Sequence, residues 1–172
     1  MPPSCGTGGE TGVPAYCGSV TGPQLRVARF EDLTARELHD LLRLRVDVFV
    51  VEQECAYPEI DGRDTEQGTQ HLWIEVGGAL AAYVRVLEGD GHAIIGRVAT
   101  HPEHRGHGHA AELVEVALDR IGDRPTRIGA QAHLERWYGQ FGFVRSGPDY
   151  VEDGIPHLPM VRDAPGGGQH RG

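Results

Sequence analysis

The feature that most constrains this 172-residue chain is one stretch, Arg97-Val98-Ala99-Thr100-His101-Pro102-Glu103-His104-Arg105-Gly106-His107-Gly108-His109-Ala110. Ala93 to Thr100 has the make-up of a strand and Pro102 to Gly108 that of a loop. Ala110 to Ile121 places Leu113, Val116, Ala117 and Ile121 on one helical face. A strand therefore feeds a glycine-containing loop that opens a helix. The first turn of a helix carries backbone N–H groups without partners, and the macrodipole adds positive potential there. An anion such as a pyrophosphate can sit on those donors. Gly106 and Gly108 allow close approach and positive φ, and Arg105 offers a charge-assisted donor. The same glycines also suit a plain left-handed turn before a surface helix, and the residues alone leave both readings open.

A metal-binding reading competes. His101, His104, His107 and His109 fall within nine positions, and imidazole is a common ligand for zinc or nickel. The spacing crosses a loop rather than one helix face, and no acidic or thiol ligand is interleaved at a usual zinc spacing. No metal is expected.

The remaining pattern builds an α/β fold. Leu25 to Phe30 alternates as a strand does, and Thr34-Ala35-Arg36-Glu37 is a capping box. Leu38, Leu41, Leu42, Val46 and Phe49 follow at helical spacing, and the helix is expected to stop before Pro58. Cys55 to Gln70 reads as a polar loop with room for a short helical turn. His71 to Val76 and Leu80 to Leu87 are strands joined by a tight turn at Gly77-Gly78. Gly89-Asp90-Gly91 turns the chain into the strand at Ala93, completing an antiparallel meander. Beyond the helix at 110–121, Arg127 to Ala132 is a strand and Leu134 to Phe141 a helix, with strands again from Phe143 to Val161. The expected order is strand, helix, meander, then β-α-β-α-β, giving a mixed sheet. One domain over residues 24–163 is expected, flanked by Gly/Pro-rich disordered tails at 1–23 and 164–172.

Composition narrows the function classes. The formal net charge of −9 argues against non-specific binding to a phosphate backbone. No apolar run approaches the ~20 residues of a membrane span, and the first residues lack the build of a secretory signal. A cytoplasmic protein without membrane or nucleic-acid partners is expected. All 16 positive side chains are arginine, which fits a GC-rich coding sequence. Cys5, Cys17 and Cys55 have no metal-ligand spacing, and their odd number makes no disulfide framework. Cys55 is read either as a nucleophile or as a small buried apolar residue.

Arg105-Gly106-His107-Gly108-His109-Ala110 resembles the Arg/Gln-x-x-Gly-x-Gly/Ala motif of the GNAT acetyltransferases. The run from Gln131 to Phe143, with Tyr138-Gly139-Gln140-Phe141-Gly142-Phe143, is similar to that family's helix ending in Tyr-x-x-x-Gly-Phe. Gln131 departs from the Asn that many members carry beside the cofactor arm. Phe49 to Asp61, His71-Leu72-Trp73, Gly96-Arg97-Val98, Ala130 to Leu134 and Glu152 to His157 look like the ElaA-like branch. The resemblance covers residues 25–162 and implies the GNAT acyl-CoA N-acyltransferase fold.

It also implies a reaction. Acetyl-CoA would be the co-substrate, its pyrophosphate held by Arg105, Gly106, His107, Gly108, His109 and Ala110, with Gln131 beside its arm. A primary amine would attack the thioester directly, in a ternary complex. A backbone N–H near Val98 and Ala99 would hold the oxyanion, and Val98, Ala99 and Thr100 would bind the cofactor. Tyr138 would protonate the leaving thiolate, unless it is a core tyrosine. A base for the amine is sought among Glu52, Asp61, His71, Glu152 and His157, which are also the candidate substrate-binding residues. Glu52, Glu59, Asp61 and Asp64 form an acidic cluster suited to a cationic substrate or to a solvated loop. The acceptor, a small-molecule amine or a protein amine, and the choice between monomer and homodimer stay open at this level. A GNAT fold that binds acyl-CoA without turnover is the remaining alternative.

Overall fold

The structure is a computed structural model and describes residues 22–164. The expectations for the two tails fall, but for their innermost residues, outside this range, as do Cys5 and Cys17. Eight strands form one mixed sheet: β1 (Gln24–Ala28), β2 (Gln70–Val76), β3 (Ala79–Glu88), β4 (Ala93–Thr100), β5 (Thr126–Gln131), β6 (Val144–Arg145), β7 (Tyr150–Glu152) and β8 (Ile155–Arg162). The spatial order is β1-β2-β3-β4-β5-β8-β6, with β7 also pairing with β8. Three helices cover it: α1 (Ala35–Arg45), α2 (His109–Ile121) and α3 (Glu135–Gly139). The first four strands pair antiparallel, and β4 and β5, joined through α2, pair parallel. The mixed α/β sheet read from the sequence is present.

Two apolar clusters place the layers. Leu113, Val114, Ala117 and Ile121 of α2 meet Leu72, Ile74, Val84, Val86 and Ile95 of the sheet, and Tyr138 and Phe143 extend this core. Leu41 and Leu44 of α1 pack with Trp73, Tyr83 and Ala99 in the second cluster. Alternation along the strands makes this division possible, since successive side chains face opposite ways.

The capping box of α1 forms as read: the Thr34 hydroxyl accepts from the Glu37 amide at 3.2 Å, and Glu37 Oε2 accepts from the Thr34 amide at 2.8 Å. The later part of this helix differs from expectation. After Arg45 the chain widens into a π-helical stretch, Val46–Glu52. This stretch packs beside β4, with Val48 buried. The wider turn aims Phe49, Glu52 and Gln53 at the space beside β4. The second departure follows α3, where β6 and β7 are two short strands along one edge of β8. Asp153 and Gly154, at φ 49° and 83°, make the tight turn between β7 and β8. Among the described residues no helix is long and apolar enough to cross a membrane.

Candidate active site

The sheet splits where its parallel pair begins. β4 and β5 pair only at Ala93 with Thr126 and Ile94 with Arg127. Beyond that they part, and a cleft of about 950 Å³ opens between them. Two residues past the last pair, Gly96 and Gly129 both lie in the cleft wall, so neither strand fills the gap with a side chain.

A bulge bends β4 away. Tyr83 pairs with Ala99 and Arg85 with Gly96, so Arg97 and Val98 together face the single residue Val84. Arg97 takes φ 53°, the left-handed region that a non-glycine residue seldom occupies. Its side chain is tied down: Nε donates to Glu59 at 2.9 Å, Nη2 reaches Asp61 at 3.3 Å, and the guanidinium lies over the Tyr57 ring. The extra residue has no partner on β3, and β5 has already departed.

The loop expected to hold an anion opens α2. Gly106 and Gly108 stand at φ 78° and 82° with no atom within 4 Å of where a Cβ would be. Gly108 is the N-cap of α2 and brings no side chain to its first-turn amides. Those donors, with Gly106, Gly108, His109 and Ala110 in the cleft wall, make a cradle that fits a pyrophosphate. His107 is exposed and outside the cleft lining. Arg105 has partners already, bonding Glu52 at 2.6 Å and the Thr100 carbonyl at 3.3 Å. That contact holds the Glu52 carboxyl below its usual range. The His101–His104, His104–His109 and His107–His109 ring pairs stand 5.7 to 6.3 Å apart between centroids. Among the described residues no three ligating side chains converge on a point.

Tyr138 also lines the cleft; it is 4% exposed and in T-shaped contact with Trp137 and Phe143. Burial pushes its hydroxyl pKa up from the ordinary 10, and no hydrogen bond contributes. Gln131, at the end of β5, donates to Gln53 at 3.1 Å across the cleft. The Cys55 thiol donates to the Asp153 carbonyl at 3.1 Å, tying the segment after the π-helical stretch to the β7–β8 turn. Val98 and Thr100 line the cleft, whereas the Ala99 side chain belongs to the core under α1.

The candidate bases separate. His71 is buried outside the cleft: Nδ1 meets the Tyr83 hydroxyl at 2.7 Å and Nε2 the Asp64 carbonyl at 3.2 Å. Burial depresses its pKa, so it is a neutral structural residue. Asp61 lines the cleft, but Arg85 grips both its oxygens, at 2.8 and 2.6 Å. Burial works to raise its pKa; the Arg85 contacts overcome this and hold it well below the carboxylate range. Glu152 and His157 face the cleft from the β7–β8 hairpin.

The acidic cluster after the first helix divides: Glu52 and Asp61 line the cleft, while Glu59 and Asp64 are not solvated. Glu59 and Asp64 are 3% and 5% exposed. Buried Arg45 bonds Glu59 and Asp64 at 2.6 Å each, and Arg85 bonds Asp64 at 2.9 Å. Three carboxylates and three guanidiniums neutralise one another there. The sequence reading missed Arg97, Gln53 and Tyr150. The glycine inside the apolar strand at 93–100 was the available signal for a bulge near Arg97.

Comparison with known proteins agrees with this geometry. The family model described as an acetyltransferase (GNAT) domain matches residues 37–164. The chain belongs to the GNAT acetyltransferase family. Its relatives place it in the ElaA-like branch: Protein ElaA of Escherichia coli is 39% identical over 139 residues, covering 77% of this chain and 91% of that protein. A UPF0039 protein of Mycobacterium tuberculosis is 49% identical over 150 residues, covering 84% and 95%. Among solved structures, an acyl-CoA N-acyltransferase from Pseudomonas aeruginosa superposes with TM-score 0.79 at 42% identity, over 82% of this chain and 99% of that one. The crystal structure of Escherichia coli ElaA gives 0.78 at 36% identity, over 83% and 100%.

Proposed function

We propose that the protein transfers the acetyl group of acetyl-CoA to a primary amine, by direct attack within a ternary complex. The observation that carries this reading is the continuity of the cleft. One trough runs from the unclaimed amides of α2, through the gap between β4 and β5, to the Tyr138 ring. A long ligand with an anionic middle and a reactive end suits that shape.

The thioester supplies an activated acyl carbon and a thiolate leaving group. The amides of His109, Ala110 and Ala111 bind the pyrophosphate, and Gly106 and Gly108 let the backbone approach it. Arg105 orients this loop through Glu52 and Thr100 rather than serving as a free donor. Gln131 sits where the cofactor arm passes. The backbone at Val98 and Ala99, displaced from its ladder by the bulge, offers an N–H to the developing oxyanion. Tyr138 keeps its proton across the neutral range and gives it to the departing sulfur. A hydroxyl whose pKa is raised by burial alone is a reluctant anion, so water must restore its proton as the product leaves.

The test is release of free thiol from acetyl-CoA against a panel of alkylamines, amino acids and peptide N-termini. Amine-dependent release supports the reading. Tight acetyl-CoA binding with no release from any amine would replace it with a non-catalytic binding module.

A further inference from the structure

Four histidines line the cleft among the described residues: His104, His109, His133 and His157. Of these, His157 has a ring nitrogen held by the backbone. Its Nδ1 lies 2.8 Å from the Ile155 carbonyl oxygen. A carbonyl only accepts, so Nδ1 carries a proton, and in the neutral ring Nε2 is left as an unprotonated lone pair. The ring plane is fixed as well. It stacks on Tyr150 with centroids 5.7 Å apart and planes 27° from parallel. The Tyr150 hydroxyl is seated over Gly129 so closely that a Cβ there would lie 2.5 Å from it.

The position suits proton removal from an arriving amine. His157 pairs across the sheet with Gln131 on one side and Tyr150 on the other. The groups facing it are thus the Gln131 amide from β5 and Tyr150 and Glu152 from β7, and Glu152 is the one anion among them. Ile128, Ala130 and Tyr138 belong to the core beneath α2 and α3. Gly129 and Gln131 alternate to the opposite face of β5, where His157 is their neighbour. Tyr138 and His157 therefore reach the split from opposite faces of the sheet. Of the other candidates, Glu52 is engaged by Arg105 and Asp61 by Arg85, His71 lies outside the cleft, and Glu152 faces the same space as His157 without a fixed geometry of its own.

We infer that His157 Nε2 accepts the proton of the acceptor amine, within the transfer reaction proposed above, on which this assignment rests. The alkylammonium gives one proton to Nε2, which becomes imidazolium. The freed lone pair forms the C–N bond, the C–S bond breaks with its electron pair on sulfur, and Tyr138 protonates that sulfur. The second amine proton leaves through water and restores Tyr138, and the imidazolium returns its proton to solvent. One acetyl group is transferred, one thiol forms, and one proton is released.

Two measurements test this. Long-range nitrogen–proton NMR on the wild-type protein should show His157 as the Nδ1–H tautomer when neutral; an Nε2–H ring overturns the assignment whatever the enzyme does. The second is His157→Gln assayed for thiol release from acetyl-CoA with n-butylamine and with hydroxylamine. An alkylammonium must lose a proton, whereas hydroxylamine arrives as a weakly basic neutral nucleophile. The variant should lose ~10²-fold or more in kcat/KM for n-butylamine, the range of general-base effects, and far less for hydroxylamine. In the n-butylamine pH profile the variant should instead keep rising into the alkaline range, since only the free amine then reacts. An equal loss with both nucleophiles, or an unchanged pH profile, overturns the role and leaves His157 a structural residue. If the wild type releases no thiol with either nucleophile while binding acetyl-CoA, the transferase reading itself fails and the base falls with it.

Discussion

Tyr138→Phe separates chemistry from packing with unusual clarity, because of how the hydroxyl is housed. The ring is 4% exposed and held by Trp137 and Phe143, and the substitution keeps both contacts. The hydroxyl has no hydrogen bond contributing to its pKa, only burial. Its removal therefore breaks no hydrogen bond among the described residues, and the oxygen, which keeps access to the cleft, is not a buried group without a partner. Stability should hold to within about 0.5 kcal/mol, roughly 1–2 °C of melting temperature for a chain of this size. If the hydroxyl protonates the leaving sulfur, kcat should fall ~10²–10⁴-fold, while acetyl-CoA affinity by calorimetry is kept. At about 1.36 kcal/mol per tenfold, that loss of transition-state stabilisation is roughly 3–5 kcal/mol. The assay is thiol release with the best amine of the panel, run beside thermal unfolding. A variant that melts several degrees lower and turns over normally would refute the reasoning on both counts, since it would reveal a structural hydrogen bond and no acid.

Further outcomes follow from the same geometry. Gly108→Glu places a carboxylate and a strained φ at the mouth of α2, so acetyl-CoA binding should be abolished by calorimetry with the far-ultraviolet circular dichroism spectrum retained. Arg45→Met strips a guanidinium from two buried carboxylates; breaking such a pair costs ~3–5 kcal/mol, or roughly 6–20 °C, read by thermal unfolding. Asp61 and Asp64 have folded pKa values below their ordinary 3.8, so the stability they contribute is complete above that value and is lost as pH falls from there through the lower folded values. His71 is depressed from 6.5 by burial, so stability should begin to decline at that earlier point on acidification, and His71→Gln should flatten this shoulder in urea titrations at stepped pH.

How much of this was legible depended on whether the signal was local. The capping box of α1 and the Gly77-Gly78 turn are complete within four residues, and both form as read. The strand-loop-helix at 93–121 was legible for the same reason: glycine conformation and helix-end donors are properties of adjacent residues. The π-helical stretch was not, because Val46 to Glu52 keeps an apolar spacing that suits either helix, and the choice is made by packing beside β4. Nor was the Tyr150–Gly129 contact, which joins residues 21 positions apart through strand pairing. Five candidate bases could not be ranked from residue type and spacing, since the difference lies in partners: a distant arginine occupies Glu52 or Asp61, and a neighbouring carbonyl fixes His157.

The buried charges deserve a role that the acidic cluster alone did not suggest. Ion pairs of this kind seldom stabilise a fold beyond what apolar residues would, because desolvation opposes them. Here they hold a geometry. A left-handed non-glycine residue costs ~1–3 kcal/mol and persists only where its surroundings enforce it. Arg97 is enforced by Glu59 and Asp61, which are fixed in turn by Arg45 and Arg85. Arg97 lies in the bulge that bends β4, just past the point where β4 and β5 have parted. The carboxylates of the 59–64 loop thus act on the cleft through its frame: they hold the β4 bulge in place beside the gap that Gly96 and Gly129 line.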